Sequence, residues 1–159
     1  MSSSSYSLVL VGTDGSESSF RAVDRAALIA RDAGAELLLA CAYHPMSERE
    51  VRDAQDALGG ESYKVSGSTP AEDVLRDAAD RAIALGVADP QIQAVEGDAV
   101  DGLISLVEDR GVDLVVVGNR GLNSLAGRML GSVPANISHR AKCDVLIVST
   151  TGRGAKPRR

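Results

Sequence analysis

Apolar residues fall into two alternating patterns along the chain. Residues 8–11, 37–42, 114–117 and 145–148 are short, nearly unbroken runs of Leu, Val, Ile, Ala and Cys. Runs of that length, bounded by turn residues, read as strands, the first three as buried ones and 145–148 as the last strand. A fifth segment, Gln91-Ile92-Gln93-Ala94-Val95, alternates apolar and polar positions and reads as an edge or half-exposed strand. Between the strands the spacing changes to three and four. Phe20, Val23, Ala27 and Ala30 share one face of a helix, as do Val74, Leu75, Ala78, Ala82 and Leu85 in a helix over 71–85. Leu103, Ile104 and Val107 mark a third helix, and 132–141 a short fourth.

Punctuation agrees with these elements. Ser16 or Ser18 can cap the first helix and Gly34 close it. Thr69-Pro70 reads as an N-cap followed by proline at the first helical position, with Gly86 at the far end. Asp98 and Gly111 bracket the third helix, and His44-Pro45 stops the second strand. Residues 46–68 are polar and aperiodic, with one helical turn expected over 47–58.

The resulting order, βαβαβαβαβ, predicts one α/β domain with a parallel sheet, right-handed crossovers and helices on both faces. In such sheets ligands bind beyond the carboxyl ends of the strands, where the strand order reverses. The Gly-rich and polar loops fall there, after Gly12, Ala42 and Gly118. With three Tyr, one Phe and no Trp, the core has to be built from Ala, Val, Leu and Ile. The Ser-rich 1–5 and the basic 152–159 are expected to be disordered ends flanking a domain over 6–151.

Charge narrows the partners. The net charge is −5, and four of the positive charges (Arg153, Lys156, Arg158, Arg159) sit in the last eight residues. The rest of the chain carries 13 basic and 22 acidic residues, a balance that argues against nucleic acid as the main partner. Cys41 and Cys143 form no CxxC and no zinc-type spacing, and Cys41 reads as a small buried strand residue. No signal-peptide pattern and no apolar run near 20 residues is present, so no membrane segment is expected and the expected location is the cytoplasm. On that expectation the sequon Asn136-Ile137-Ser138 goes unused.

Two motifs carry candidate chemistry. The first is Gly118-Asn119-Arg120-Gly121, nine residues, then Gly131-Ser132. It leaves a buried strand and enters a helix, whose first amides lack acceptors and whose dipole favours an anion. Glycines allow close backbone approach, Ser132 can add its hydroxyl, and Arg120 and Arg128 can lie near phosphates. A long surface loop with ordinary turn glycines is the competing reading. The second motif is Val11-Gly12-Thr13-Asp14-Gly15-Ser16. Asp14 beside a phosphate would repel it, so it suits ribose hydroxyls better, unless it is only a turn former. Residues 40–43 can offer backbone groups and apolar surface to a purine.

Together these motifs, over about residues 6 to 150, resemble the universal stress protein family. The specific part is the spacing Gly118, Gly121, Gly131, Ser132, which marks the family's nucleotide-binding subgroup. The opening strand with Gly12-Thr13-Asp14-Gly15-Ser16 and the closing Cys143-Asp144-Val145-Leu146-Ile147-Val148 are also similar. The resemblance implies a Rossmann-like sheet in the order 3-2-1-4-5. It implies an adenine nucleotide, ATP (with Mg2+) or cyclic AMP, bound for sensing or sequestration under stress, and is strongest to the cyclic-AMP branch. It places Asp14 on the ribose, and with the residues read above the candidate site comprises Gly12, Thr13, Asp14, Ala40, Val117, Gly118, Arg120, Gly121, Arg128, Gly131, Ser132 and Val133. It also implies a homodimer paired through the last strand, 145–148.

Enzyme readings have less support. GxxxxGK[ST], GxGxxG and GxSxG are all absent. His44, at a strand end, and His139, late in a short helix, are the only histidines, and neither is paired with a nucleophile. Slow ATP hydrolysis or phosphotransfer is the alternative function, with no catalytic residue assigned. A response-regulator receiver, the best rival of the same fold class, needs clustered acids after the first strand and a Lys after the last, where this chain has Ser149-Thr150.

Overall fold

A computed structural model describes residues 5–44, 69–119 and 131–150. The expected helical turn over 47–58 and the terminal segments lie outside them, except for Ser5. Strand β1 (Leu8–Gly12) leads to helix α1 (Glu17–Ala33) and strand β2 (Glu36–Tyr43). Helix α2 (Thr69–Ala84), strand β3 (Gln91–Glu96) and helix α3 (Ala99–Arg110) follow. Strand β4 (Leu114–Gly118), helix α4 (Ser132–Arg140) and strand β5 (Asp144–Val148) complete the order. All four strand pairings are parallel, in the order β3-β2-β1-β4-β5. The sequence-based sheet order is therefore observed.

The unbroken apolar runs have a simple cause. Successive side chains of a strand point to opposite faces, and here both faces are covered. Val9, Val11, Leu37, Leu39 and Val116 pack with α1 and α2. Leu8, Leu10, Leu38, Val115 and Val117 pack with α3 and α4. Leu37, Leu38 and Leu39 are fully buried in sequence, each worth about 1.5–3 kcal/mol. Edge strand β3 keeps its alternation, with Ile92 about half exposed.

Helix ends follow the chemistry of their residues. The Ser16 hydroxyl accepts the Ser19 N–H, and Asp98 accepts the Asp101 N–H in the same way. Gly34 and Gly111 close α1 and α3 in the left-handed conformation. Helix α2 begins at Thr69, within a residue of the start expected from Thr69-Pro70. Arg81 joins α2 to α1: its guanidinium grips both Asp24 oxygens at 2.7 and 3.0 Å and lies 5.0 Å from the Phe20 ring centre.

At the amino ends of the strands, the Asp113 carboxylate accepts the Ser7 and Leu8 N–H groups. At the carboxyl ends the register sets β1 beside β4, pairing Val11 with Val116. This is the reversal point: β1 continues outward through β2 to β3, and β4 through β5.

Candidate functional site

A cleft of about 90 Å³ opens at that reversal point. Gly12 and Gly118, the last residues of β1 and β4, form its edge. A Cβ on Gly12 would sit 3.0 Å from Leu103 Cδ1, and one on Gly118 would sit 3.2 Å from Thr150 Cγ2. Both positions therefore keep backbone accessible where a side chain would crowd the floor.

The walls differ in character. Ala99 and Leu103 from α3, with Val133 and Pro134 from α4, give an apolar side. Ala40, Ala42 and Val117 add small apolar surface from β2 and β4. Thr13, Asp14 and Ser19 form the polar side. A slot with one apolar wall and one hydroxyl-and-carboxylate wall suits a flat heterocycle carrying a polyhydroxylated group.

The polar wall is held by a continuous hydrogen-bond network. The Thr13 N–H donates to the Ala40 carbonyl at 2.9 Å, tying the loop after β1 to β2. Ser19 Oγ lies 2.8 Å from Thr13 Oγ1 and accepts the Asp14 N–H at 3.3 Å. It also donates to the Ser16 carbonyl at 2.9 Å. Thr13, one of two buried polar residues among those described, in turn accepts the Gly15 N–H at 3.2 Å. Asp14 Oδ1 accepts the Ser16 N–H at 2.8 Å. Gly15 completes the turn at φ +84°, a conformation that glycine adopts without steric cost.

Electrostatics follow from that network. Burial opposes ionisation of Asp14, but hydrogen bonds outweigh it and hold the carboxyl below its usual range. They come from the Ser16 hydroxyl and N–H, the Ser19 hydroxyl and Asp14's own N–H. Asp14 is thus an acceptor at neutral pH. Cys41 feels the opposite push: burial first, and then the Asp14 charge, raise its thiol. It is a buried strand residue without the electropositive surroundings of a reactive thiolate.

Asn119 and Gly131 join the end of β4 to the start of α4. The Asn119 N–H donates to the Val148 carbonyl and the Gly131 N–H to the Asn119 carbonyl, at 2.9 and 3.1 Å. Asn119 Oδ1 accepts both the N–H and the hydroxyl of Thr150. Helix α4 therefore starts directly beside the end of β4. Gly131 is its N-cap and supplies no side-chain bond, so the Ser132 and Val133 amides have no intrahelical acceptor. Pro134 contributes no N–H and is buried.

Of the residues singled out from sequence, Gly12, Thr13, Asp14, Ala40, Val117, Gly118 and Val133 converge on the cleft. Gly131 and Ser132 stand at the start of α4 without lining it. Ser132 is exposed, and its carbonyl accepts the Asn136 amide at 2.8 Å. Arg120, Gly121 and Arg128 lie outside the described residues. His44 is exposed past the end of β2 and does not line the cleft, and His139 is exposed in the last turn of α4. Sequence reasoning missed Ser19, Ala99 and Leu103, and treated Pro134 only as tolerated in the helix. A serine three residues after an N-cap was the one available signal for Ser19. Ala99 and Leu103 share the apolar period of α3 with its core residues.

No helix among the described residues is long and apolar enough to cross a membrane. A parallel sheet in the order β3-β2-β1-β4-β5, with a cleft at its reversal point, defines a doubly wound α/β protein. The model of the universal stress protein family matches residues 5–149, and the chain belongs to that family. Universal stress protein Rv1636 of Mycobacterium tuberculosis is 53% identical over 148 residues, spanning 93% of this chain and 99% of the relative. Among solved structures, a universal stress protein in complex with cAMP is 51% identical with a TM-score of 0.72, covering 93% of this chain and 100% of that one. UspA from Lactobacillus plantarum, at 20% identity, shares the fold with a TM-score of 0.72, covering 90% and 97%.

Proposed function

We propose that this universal stress protein binds an adenine nucleotide, cyclic AMP or ATP, in the cleft between β1 and β4. It acts there as a cytoplasmic sensor or sequestering protein in stress. The observation that carries this reading is the convergence of seven residues, singled out from sequence in segments up to about a hundred positions apart, on one cleft. A relative of known structure at 51% identity, solved with cAMP, supports the same ligand class.

In this reading the adenine lies against Leu103, Val133, Val117 and the small residues of β2. Asp14 accepts ribose hydroxyls. The phosphate meets the amides of Ser132 and Val133 at the start of α4, with Gly118 at its side. Gly121, Arg120 and Arg128 complete the phosphate side. Asp14 is the one carboxylate among the described lining residues, and its Oδ1 already accepts the Ser16 N–H. Magnesium brought by ATP is therefore assigned to the ligand's phosphates.

The edge strand β5, with Val145, Leu146, Ile147 and Val148 half-buried, is the surface through which two copies pair. Sedimentation of wild type and of Ile147→Lys checks the pairing: a dimer that becomes monomeric supports it, and a wild-type monomer overturns it. Calorimetry with ATP, AMP and cyclic AMP tests the ligand class. Saturable binding of at least one supports it, and no binding of any contradicts it.

A further inference from the structure

We propose that Ser19 is a positioning residue for Asp14 and sets how strongly the site prefers a ribose 2′-hydroxyl. The proposal rests on the reading of Asp14 as a ribose acceptor. Ser19 lies three residues beyond the N-cap Ser16, where a capping-box side chain normally reaches back to the N-cap N–H. That N–H is already taken by Asp14 Oδ1 at 2.8 Å. The Ser19 hydroxyl reaches further back and accepts the N–H of Asp14 itself at 3.3 Å. Asp14 is thus held from both ends, its carboxylate by the Ser16 amide and its backbone by Ser19.

The remaining bonds of Ser19 fix its own orientation. With its single proton given to the Ser16 carbonyl at 2.9 Å, Ser19 accepts the contact with the Thr13 hydroxyl at 2.8 Å. Thr13 is in turn anchored to Ala40 of β2 through its N–H. The chain β2–Thr13–Ser19–Asp14 therefore transmits the rigidity of the sheet to the carboxylate. Ser19 lines the cleft without being needed to touch the ligand.

Cyclic AMP makes the role measurable. Its 3′-oxygen is esterified, so the 2′-hydroxyl is its only free ribose hydroxyl. The ratio of affinities for cyclic AMP and 2′-deoxy cyclic AMP reports the Asp14 bond alone. A hydrogen bond to a charged acceptor sets that ratio at about tenfold or more in wild type. Asp14→Asn is expected to collapse it. Ser19→Ala is expected to lower it about three- to tenfold, and Ser19→Thr, which keeps the hydroxyl, to restore it. In an Asp14→Asn background, Ser19→Ala should change the ratio no further. If Asp14→Asn leaves the ratio intact, the ribose reading falls and this inference with it. If Asp14→Asn collapses the ratio but Ser19→Ala weakens both ligands equally, Ser19 is only structural and the inference alone is overturned.

Discussion

Replacing Gly15 by alanine tests how the turn that presents Asp14 is built. Gly15 sits at φ +84°, and an added Cβ would stand 2.8 Å from Cγ2 of Val74 on α2. An L-residue in a left-handed conformation costs about 1–2 kcal/mol. Pushing Val74 off its rotamer adds about 0.5–1.5 kcal/mol. The smaller entropy of the unfolded alanine chain returns about 0.4–1 kcal/mol. The expected net loss is about 0.5–3 kcal/mol, or a fall of roughly 1–12 °C in Tm at this chain length. Urea unfolding followed by circular dichroism measures it. A Gly15→Ala/Val74→Ala cycle then separates the two costs. Truncating Val74 removes the collision but not the backbone strain, so the double variant should be more stable than additivity predicts by about 0.5–1.5 kcal/mol. An alanine variant as stable as wild type, or strict additivity in the cycle, refutes the account of this turn.

Three further outcomes follow from the same contacts. Thr13→Val removes the acceptor for the Gly15 N–H and the donor to Ser19, and is expected to cost about 1–3 kcal/mol in chemical denaturation. Arg81→Ala loses a bidentate ion pair that is about one-third exposed, together with a ring contact. About 1 kcal/mol is expected from its denaturation midpoint, and Arg81→Lys should not recover it, because lysine lacks the fork. For Asp14 the folded carboxyl titrates below the unfolded one. Its contribution to stability is therefore complete above the ordinary carboxylate range and disappears as pH falls through the depressed folded value. The stability difference between wild type and Asp14→Asn should shrink on acidification from pH 7 to 3, and a difference growing over that range contradicts the sign.

The sheet was legible because its strands answer to one demand. A strand covered on both faces is apolar at every position, and Leu8–Gly12, Leu114–Gly118 and most of β2 obey it. Helix ends were legible where a single residue does the capping, as at Ser16, Gly34, Asp98 and Gly111. The site was readable where it is made of backbone. Gly12, Gly118 and the start of α4 follow from glycine spacing alone. Its apolar wall was not readable, since Leu103 obeys the same period whether it faces a core or a cleft. Ser19 escaped because its partner is a backbone amide five residues earlier, a bond that exists only once the turn has formed.

Backbone amide chemical shifts, followed while cyclic AMP and then ATP are titrated in, test the central claim most directly. The account predicts saturable shifts at Gly12, Thr13, Asp14, Ala40, Val117, Gly118, Gly131, Ser132 and Val133. Residues on the opposite, amino-terminal edge of the sheet, such as Asp113, should stay unmoved. Saturation with shifts confined to that far edge, or no shifts with either nucleotide, would contradict it.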